Sequence, residues 1–231
     1  MTISEKLDII KNKISDSAKK VGKTAEDIVL LPVTKTRSPE EIMPALDCGV
    51  RAIGENYVQE LVAKYDQLSS YVDEFHMIGH LQSNKVKYIA DKVSLIHSVD
   101  SLSLMKEIDK QAKKHDKIQK ILLEVNLTKE ASKSGIYEEE LESLFWDSKN
   151  FSNLLVKGFM TMPPAGSSDD VLRSVFSRLY NIFEQFRRED SSLDILSMGM
   201  SHDYQIAIEE GSNLVRVGSA IFGPRNYQKN I

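Results

Sequence analysis

Only one cysteine, Cys48, stands in 231 residues, so no internal disulfide can form and no cysteine-rich metal site is available. Charge of one sign is also scarce. The 30 Lys and Arg against 34 Asp and Glu leave a net −4, and no basic run exceeds short stretches such as residues 110–120. That stretch reads as the polar face of a helix, and nucleic acid is not an expected partner. No apolar run is long enough to cross a bilayer. Residues 1–20 are polar and helix-patterned, without the apolar core of a secretory signal, so a cytoplasmic protein with no membrane partner is expected. Linkers and internal repeats are lacking too. The longest Pro/Gly/Ser stretch, residues 162–168, falls where a strand hands over to a helix and reads as a loop. A single domain over residues 1–231 is expected, large enough to fold without disulfides or a metal.

What the chain does have is alternation. Short apolar runs at residues 28–34, 51–54, 75–79, 93–98, 120–126, 154–160, 194–198 and 213–217 read as strands. Most are nearly continuous in apolar residues, the pattern of parallel strands buried on both faces. Helical segments fill the gaps at residues 56–68, 82–91, 101–115, 137–150, 168–189 and 203–210, and an extra one at 3–20 precedes the first strand. Ser38-Pro39-Glu40-Glu41 supplies a cap, a proline at the first helical position and acids at the positive helix end, with Gly49 as the stop. The fold class is therefore α/β, a single (β/α)₈ TIM-type barrel with an extra N-terminal helix. An open doubly wound sheet is the alternative, but no G-x-G-x-x-G follows the first strand.

Function in such a barrel gathers at the carboxyl ends of its strands. The first strand ends Pro32-Val33-Thr34-Lys35. Burial at the barrel mouth disfavours an ammonium, lowers its pKa from about 10.4 and frees a nucleophilic amine. A solvated lysine at a strand end is the plainer alternative. Asn56, after the second strand, reads most simply as a helix cap. His80 follows the third strand and reads as a polar loop residue, while His76 and His97 fall within strands.

The last two strands end Ser197-Met198-Gly199-Met200-Ser201 and Arg216-Val217-Gly218-Ser219-Ala220-Ile221-Phe222-Gly223. Glycines admit an anion close to the backbone, and Ser201 and Ser219 add hydroxyls. A short helix over 219–222 can aim N–H groups at a phosphate, in the place where such barrels bind one. Arg216, inside a strand, needs a partner: a core carboxylate, or a ring nitrogen of a ligand. A lysine, a phosphate cradle and an interior arginine together fit pyridoxal 5′-phosphate.

These segments, with Gly54-Glu55-Asn56-Tyr57-Val58-Gln59-Glu60, His76-Met77-Ile78-Gly79-His80-Leu81-Gln82-Ser83-Asn84-Lys85 and Gly158-Phe159-Met160-Thr161-Met162, give the chain its resemblance to a known family. It resembles the YggS/PROSC family of pyridoxal phosphate homeostasis proteins, relatives of the N-terminal barrel of bacterial alanine racemase. The resemblance implies a Schiff base on Lys35, Arg216 beside the pyridine nitrogen, Ser201, Gly218 and Ser219 around the phosphate, and Asn56 and Met198 lining the cofactor. Thr34 stands where serine is frequent and Ser219 where threonine is, each keeping a hydroxyl. His202 stands where an acid is common and is left unassigned. The expected function is to bind and buffer or deliver the cofactor as a monomer, with no catalytic residues and apo pyridoxal phosphate enzymes as recipients. Two alternatives compete: an amino-acid racemase using His80, Tyr57 or Tyr204 as its second acid/base, and a barrel enzyme acting on a phosphorylated sugar through Lys35.

Overall fold

The apolar runs become strands and the amphipathic runs between them become helices in a computed structural model that describes residues 1–128 and 134–224. In chain order the elements are α1 (Ile3–Lys20), β1 (Val29–Pro32), α2 (Pro39–Asp47), β2 (Ala52–Glu55), α3 (Val58–Leu68), β3 (Glu74–Met77), β4 (Leu95–Val99) and α4 (Leu102–Lys114). There follow β5 (Gln119–Asn126), β6 (Ile136–Tyr137), α5 (Glu138–Ser148), β7 (Leu154–Met160), α6 (Asp169–Glu189), β8 (Ile195–Ser197), α7 (Tyr204–Glu209), β9 (Leu214–Val217) and α8 (Ser219–Phe222). Eight strands pair in parallel in the order β1-β9-β8-β7-β5-β4-β3-β2, and β6 adds to β5 outside that path. The ring closes just past the end of β1. Val33 bridges to Gly54, and the Thr34 amide donates to the Gly54 carbonyl at 3.0 Å.

Local chemistry sets the helix starts. The Thr2 and Ser38 hydroxyls each accept from the backbone three residues on, while Glu5 and Glu41 return the bond. The extra helix α1 lays Leu7, Ile10, Ile14 and Ala18 against Tyr204, Ile208, Val215, Val217 and Ile221, covering the outside of β9, α7 and α8. Truncating Leu7 would cost roughly 2–5 kcal/mol at such a site. Two local expectations differ. Residues 82–91 form 3₁₀ turns over Ser83–Tyr88 rather than an α-helix, since Gln82 contributes no side-chain cap bond and Val86 is the one buried residue of the six. The short strand β6 has no sequence signal long enough to reveal it.

Side chains alternate along each strand. On β5, Ile121, Leu123 and Val125 pack with helix residues, whereas Leu122 packs with Leu95 and Met160 inside the barrel. Glu124 shares the parity of Leu122. Burial, with help from the Asp100 charge and against that of Arg216, pushes its carboxyl up to about 7. Its folded pKa lies above the ordinary 4.5, so between those values the folded chain holds a proton that the unfolded chain releases. Stability from this group is full below pH 4.5 and is lost as pH rises through 7, by at most about 3 kcal/mol. Urea denaturation from pH 4 to 8 should show this decline in the wild type and a flatter profile in Glu124→Gln. Identical profiles would remove Glu124 as its cause.

A glycine lets β7 meet β8. Gly158 has φ +150°, and a Cβ there would lie 1.8 Å from the Ile195 carbonyl oxygen, at a point where the β5–β7 register shifts. Neither backbone can yield without breaking the ladder. Gly158→Ala should lose about 3 kcal/mol in denaturant unfolding. A loss under about 1 kcal/mol would show that the sheet adapts.

Candidate functional site

The carboxyl ends of β1, β2, β8 and β9 surround a cavity of about 300 Å³, within the range of small-molecule pockets. Of the residues expected at a site, Lys35, Asn56, Ser201, Arg216, Gly218 and Ser219 all line it. Met198 does not. With Ser197 facing the barrel interior, the next residue points the other way, and Met198 is fully buried in the large core cluster shared with the helices.

The turn bearing Lys35 is fixed on both sides. Thr36 holds φ at +61°, a costly conformation for a β-branched residue, and its amide donates to Glu60 Oε2 at 2.7 Å. Lys64, buried on α3, donates to the Thr34 carbonyl at 2.9 Å and to Glu55 Oε1 and Glu60 Oε2 at 2.8 Å each. The Thr34 hydroxyl adds a 2.6 Å bond to Glu55 Oε1. Arg37, also buried, donates to the carbonyls of Gly223 and Pro224, tying this turn to the segment after α8. A strained backbone is thus held by a buried ion cluster, and Lys35 is half-buried between its anchors. Sequence reasoning had not singled out Lys64 and Glu60, although their i,i+4 spacing on a helix is a visible signal.

Just past β9, the strand paired with β1, the Gly218 and Ala220 amides converge on Ser201 Oγ at 3.2 and 3.3 Å. Two N–H groups aimed at one oxygen form a concavity suited to an anion. Arg216 is 3% exposed, and donates to Ser197 Oγ at 2.5 Å and the Thr161 carbonyl at 3.0 Å. Burial lowers its pKa to about 10 against the opposing charges of Asp203 and Glu124, so it stays protonated at neutral pH. Asn56 is not a cap. Tyr57 occupies the N-cap position of α3, and the Asn56 side-chain oxygen is buried with no hydrogen-bond partner among the described residues.

His80 is exposed, 3.3 Å from the Ser134 hydroxyl, and it does not line the cavity. Tyr57 and Tyr204 are likewise absent from the lining, whereas His202 is present. Met162, Met200, Ile78 and Phe222 supply apolar walls; each falls within a matching stretch of the sequence but had been given no role there. Among the described residues no His/Cys/Asp/Glu group is arranged to hold a metal, and no helix is long and apolar enough to cross a membrane.

Residues 7–226 match the family described as alanine racemase, N-terminal domain. A pyridoxal phosphate homeostasis protein of Aquifex aeolicus (strain VF5) is 40% identical over 228 residues, covering 98% of this chain and all of that one. PipY of Synechococcus elongatus PCC7942, solved with PLP bound, superposes with a TM-score of 0.82 at 28% identity, over 96% of this chain and 100% of PipY. An alanine racemase of Clostridium difficile 630 shares the barrel alone, with a TM-score of 0.72 at 16% identity over 95% of this chain and 56% of that enzyme. Full-length similarity and a matching barrel together make this chain a member of the pyridoxal phosphate homeostasis proteins, within the alanine racemase N-terminal-domain family.

Proposed function

We propose that the chain binds pyridoxal 5′-phosphate covalently on Lys35 and buffers or delivers it without catalytic turnover. One observation carries this reading: Lys35, the buried Arg216 and the Ser201, Gly218 and Ser219 turns line a single cavity of about 300 Å³. The cofactor supplies an aldehyde that condenses with a primary amine, releasing water, and a phosphate that must be neutralised by donors.

The residues fit that molecule. Lys35 presents the amine from a turn anchored through Glu60, Lys64 and Arg37. The amides of Gly218 and Ala220, with the hydroxyls of Ser201 and Ser219, surround the place for the phosphate. Arg216 has five N–H donors, of which the bonds to Ser197 and Thr161 use two, and it can donate to a ring nitrogen. A guanidinium leaves no proton on that nitrogen, which makes the ring a weak electron sink. The orphaned oxygen of Asn56 gains a partner from a ring hydroxyl.

The lining also speaks against turnover. His80, Tyr57 and Tyr204 are outside it, so a racemase would have to use His202 as its second acid/base. The reading extends to a monomeric cytoplasmic carrier whose recipients are apo forms of enzymes that use this cofactor.

Loaded wild type should be yellow, with the visible band absent in Lys35→Ala and the label fixed to Lys35 after borohydride reduction. Colourless wild type in saturating cofactor would end the proposal. Ser201→Ala should weaken binding about tenfold, ~1.4 kcal/mol, for the loss of one charge-assisted hydrogen bond. In deuterated water the α-hydrogen of L-alanine should exchange only at the background rate. Rapid exchange that vanishes in Lys35→Ala and in His202→Gln would establish the racemase alternative.

A further inference from the structure

A chain of buried polar side chains crosses the barrel interior from its amino-terminal end to the cavity. Arg216 Nη1 donates to Ser197 Oγ at 2.5 Å, and Ser197 Oγ lies 3.0 Å from His97 Nδ1. His97 Nε2 lies 3.0 Å from His76 Nδ1, and His76 Nε2 lies 2.9 Å from Glu74 Oε2. Ser197 and His97 are fully buried and His76 nearly so, while the Glu74 side chain is 54% exposed at the first residue of β3. The strands involved are β9, β8, β4 and β3, so the chain spans the barrel rather than following one edge.

Its first member fixes one link, and the proton of Ser197 sets the rest. A guanidinium can only donate, so Ser197 accepts there and has one proton left to give. Giving that proton to His97 makes Nδ1 the acceptor, whereas keeping it would leave Ser197 accepting twice and His97 carrying its proton on Nδ1. A neutral imidazole accepting at Nδ1 carries its proton on Nε2, which donates to His76 Nδ1. The same step places the His76 proton on Nε2, facing the Glu74 carboxylate. Burial, with the Arg216 charge nearby, holds the His97 pKa well below the ordinary imidazole value, which keeps this ring neutral.

We infer that Ser197, His97 and His76 are positioning residues for Arg216, a one-way hydrogen-bond chain anchored at Glu74 that holds the guanidinium in a single orientation at the cavity. Its effect on the cofactor deepens the proposed role of Arg216 and rests on it, whereas the chain itself exists without any ligand. Every link is short, so breaking an inner one orphans a buried group on each side.

The first test uses the cofactor-free, ¹⁵N-labelled full chain. Long-range ¹H–¹⁵N correlation at neutral pH, with His76→Gln and His97→Gln used for assignment, should find the Nε2–H tautomer at both residues. A proton on Nδ1 of His97, or a charged His97, would overturn the chain. The second compares His97→Asn, whose side-chain oxygen can still accept from Ser197, with His97→Leu, which cannot. With pyridoxal 5′-phosphate as the probe, His97→Leu should bind at least tenfold more weakly and shift the visible band, and His97→Asn should stay within about threefold of wild type. Equal losses in both variants that follow only their melting temperatures would reduce the histidine to packing. A wild type that binds no cofactor would remove the proposed function and leave the tautomer result intact.

Discussion

The site depends on a positive charge that cannot leave the barrel interior. Arg216 sits on a central strand with 3% of its surface exposed, and desolvating a guanidinium is costly unless donors and charges around it are satisfied. That demand explains why the interior near the cavity is polar. Ser197 and the Thr161 carbonyl accept its hydrogen bonds, while Asp203 and Glu124 supply opposing charge. The apolar interior is correspondingly divided into two small clusters, one around Leu31, Val33, Ile78 and Leu214 and one around Leu95, Leu122 and Met160. The large core lies outside the barrel wall, beneath the helices.

A second polar cluster controls the neighbouring wall, past the end of β1. Lys64 compensates two carboxylates, and the three groups together grip the backbone before and after Lys35. Buried ion pairs contribute little net stability, because desolvation consumes most of the attraction. Their value here is geometric. They hold Thr36 in a left-handed conformation that the free chain would abandon. Lys35 and Arg216 are thus placed by separate polar assemblies on different elements.

Strand positions were legible because parallel barrel strands are buried on both sides and spell themselves as apolar runs. The two glycine-serine turns after β8 and β9 were legible for a related reason, since their residue types are the ones a close backbone approach requires. Long-range contacts were not. His97 and Ser197 are a hundred residues apart and meet across the barrel, a pairing that no local pattern encodes, so two strand histidines were passed over. Asn56 looked like a cap because its residue type suits one, but α3 begins two residues later and frees the amide for the cavity. Met198 went astray by a single step in strand parity.

The Ser201 hydroxyl already takes the two hydrogen bonds from the Gly218 and Ala220 amides. On the proposed reading, an arriving anion displaces an internal surrogate instead of stripping bare dipoles from solvent. Departure is equally mild, because the serine resumes its post and no amide is stranded. Exchange of one acceptor for another keeps the empty and filled forms close in free energy, a thermodynamic balance suited to a molecule that must release what it holds.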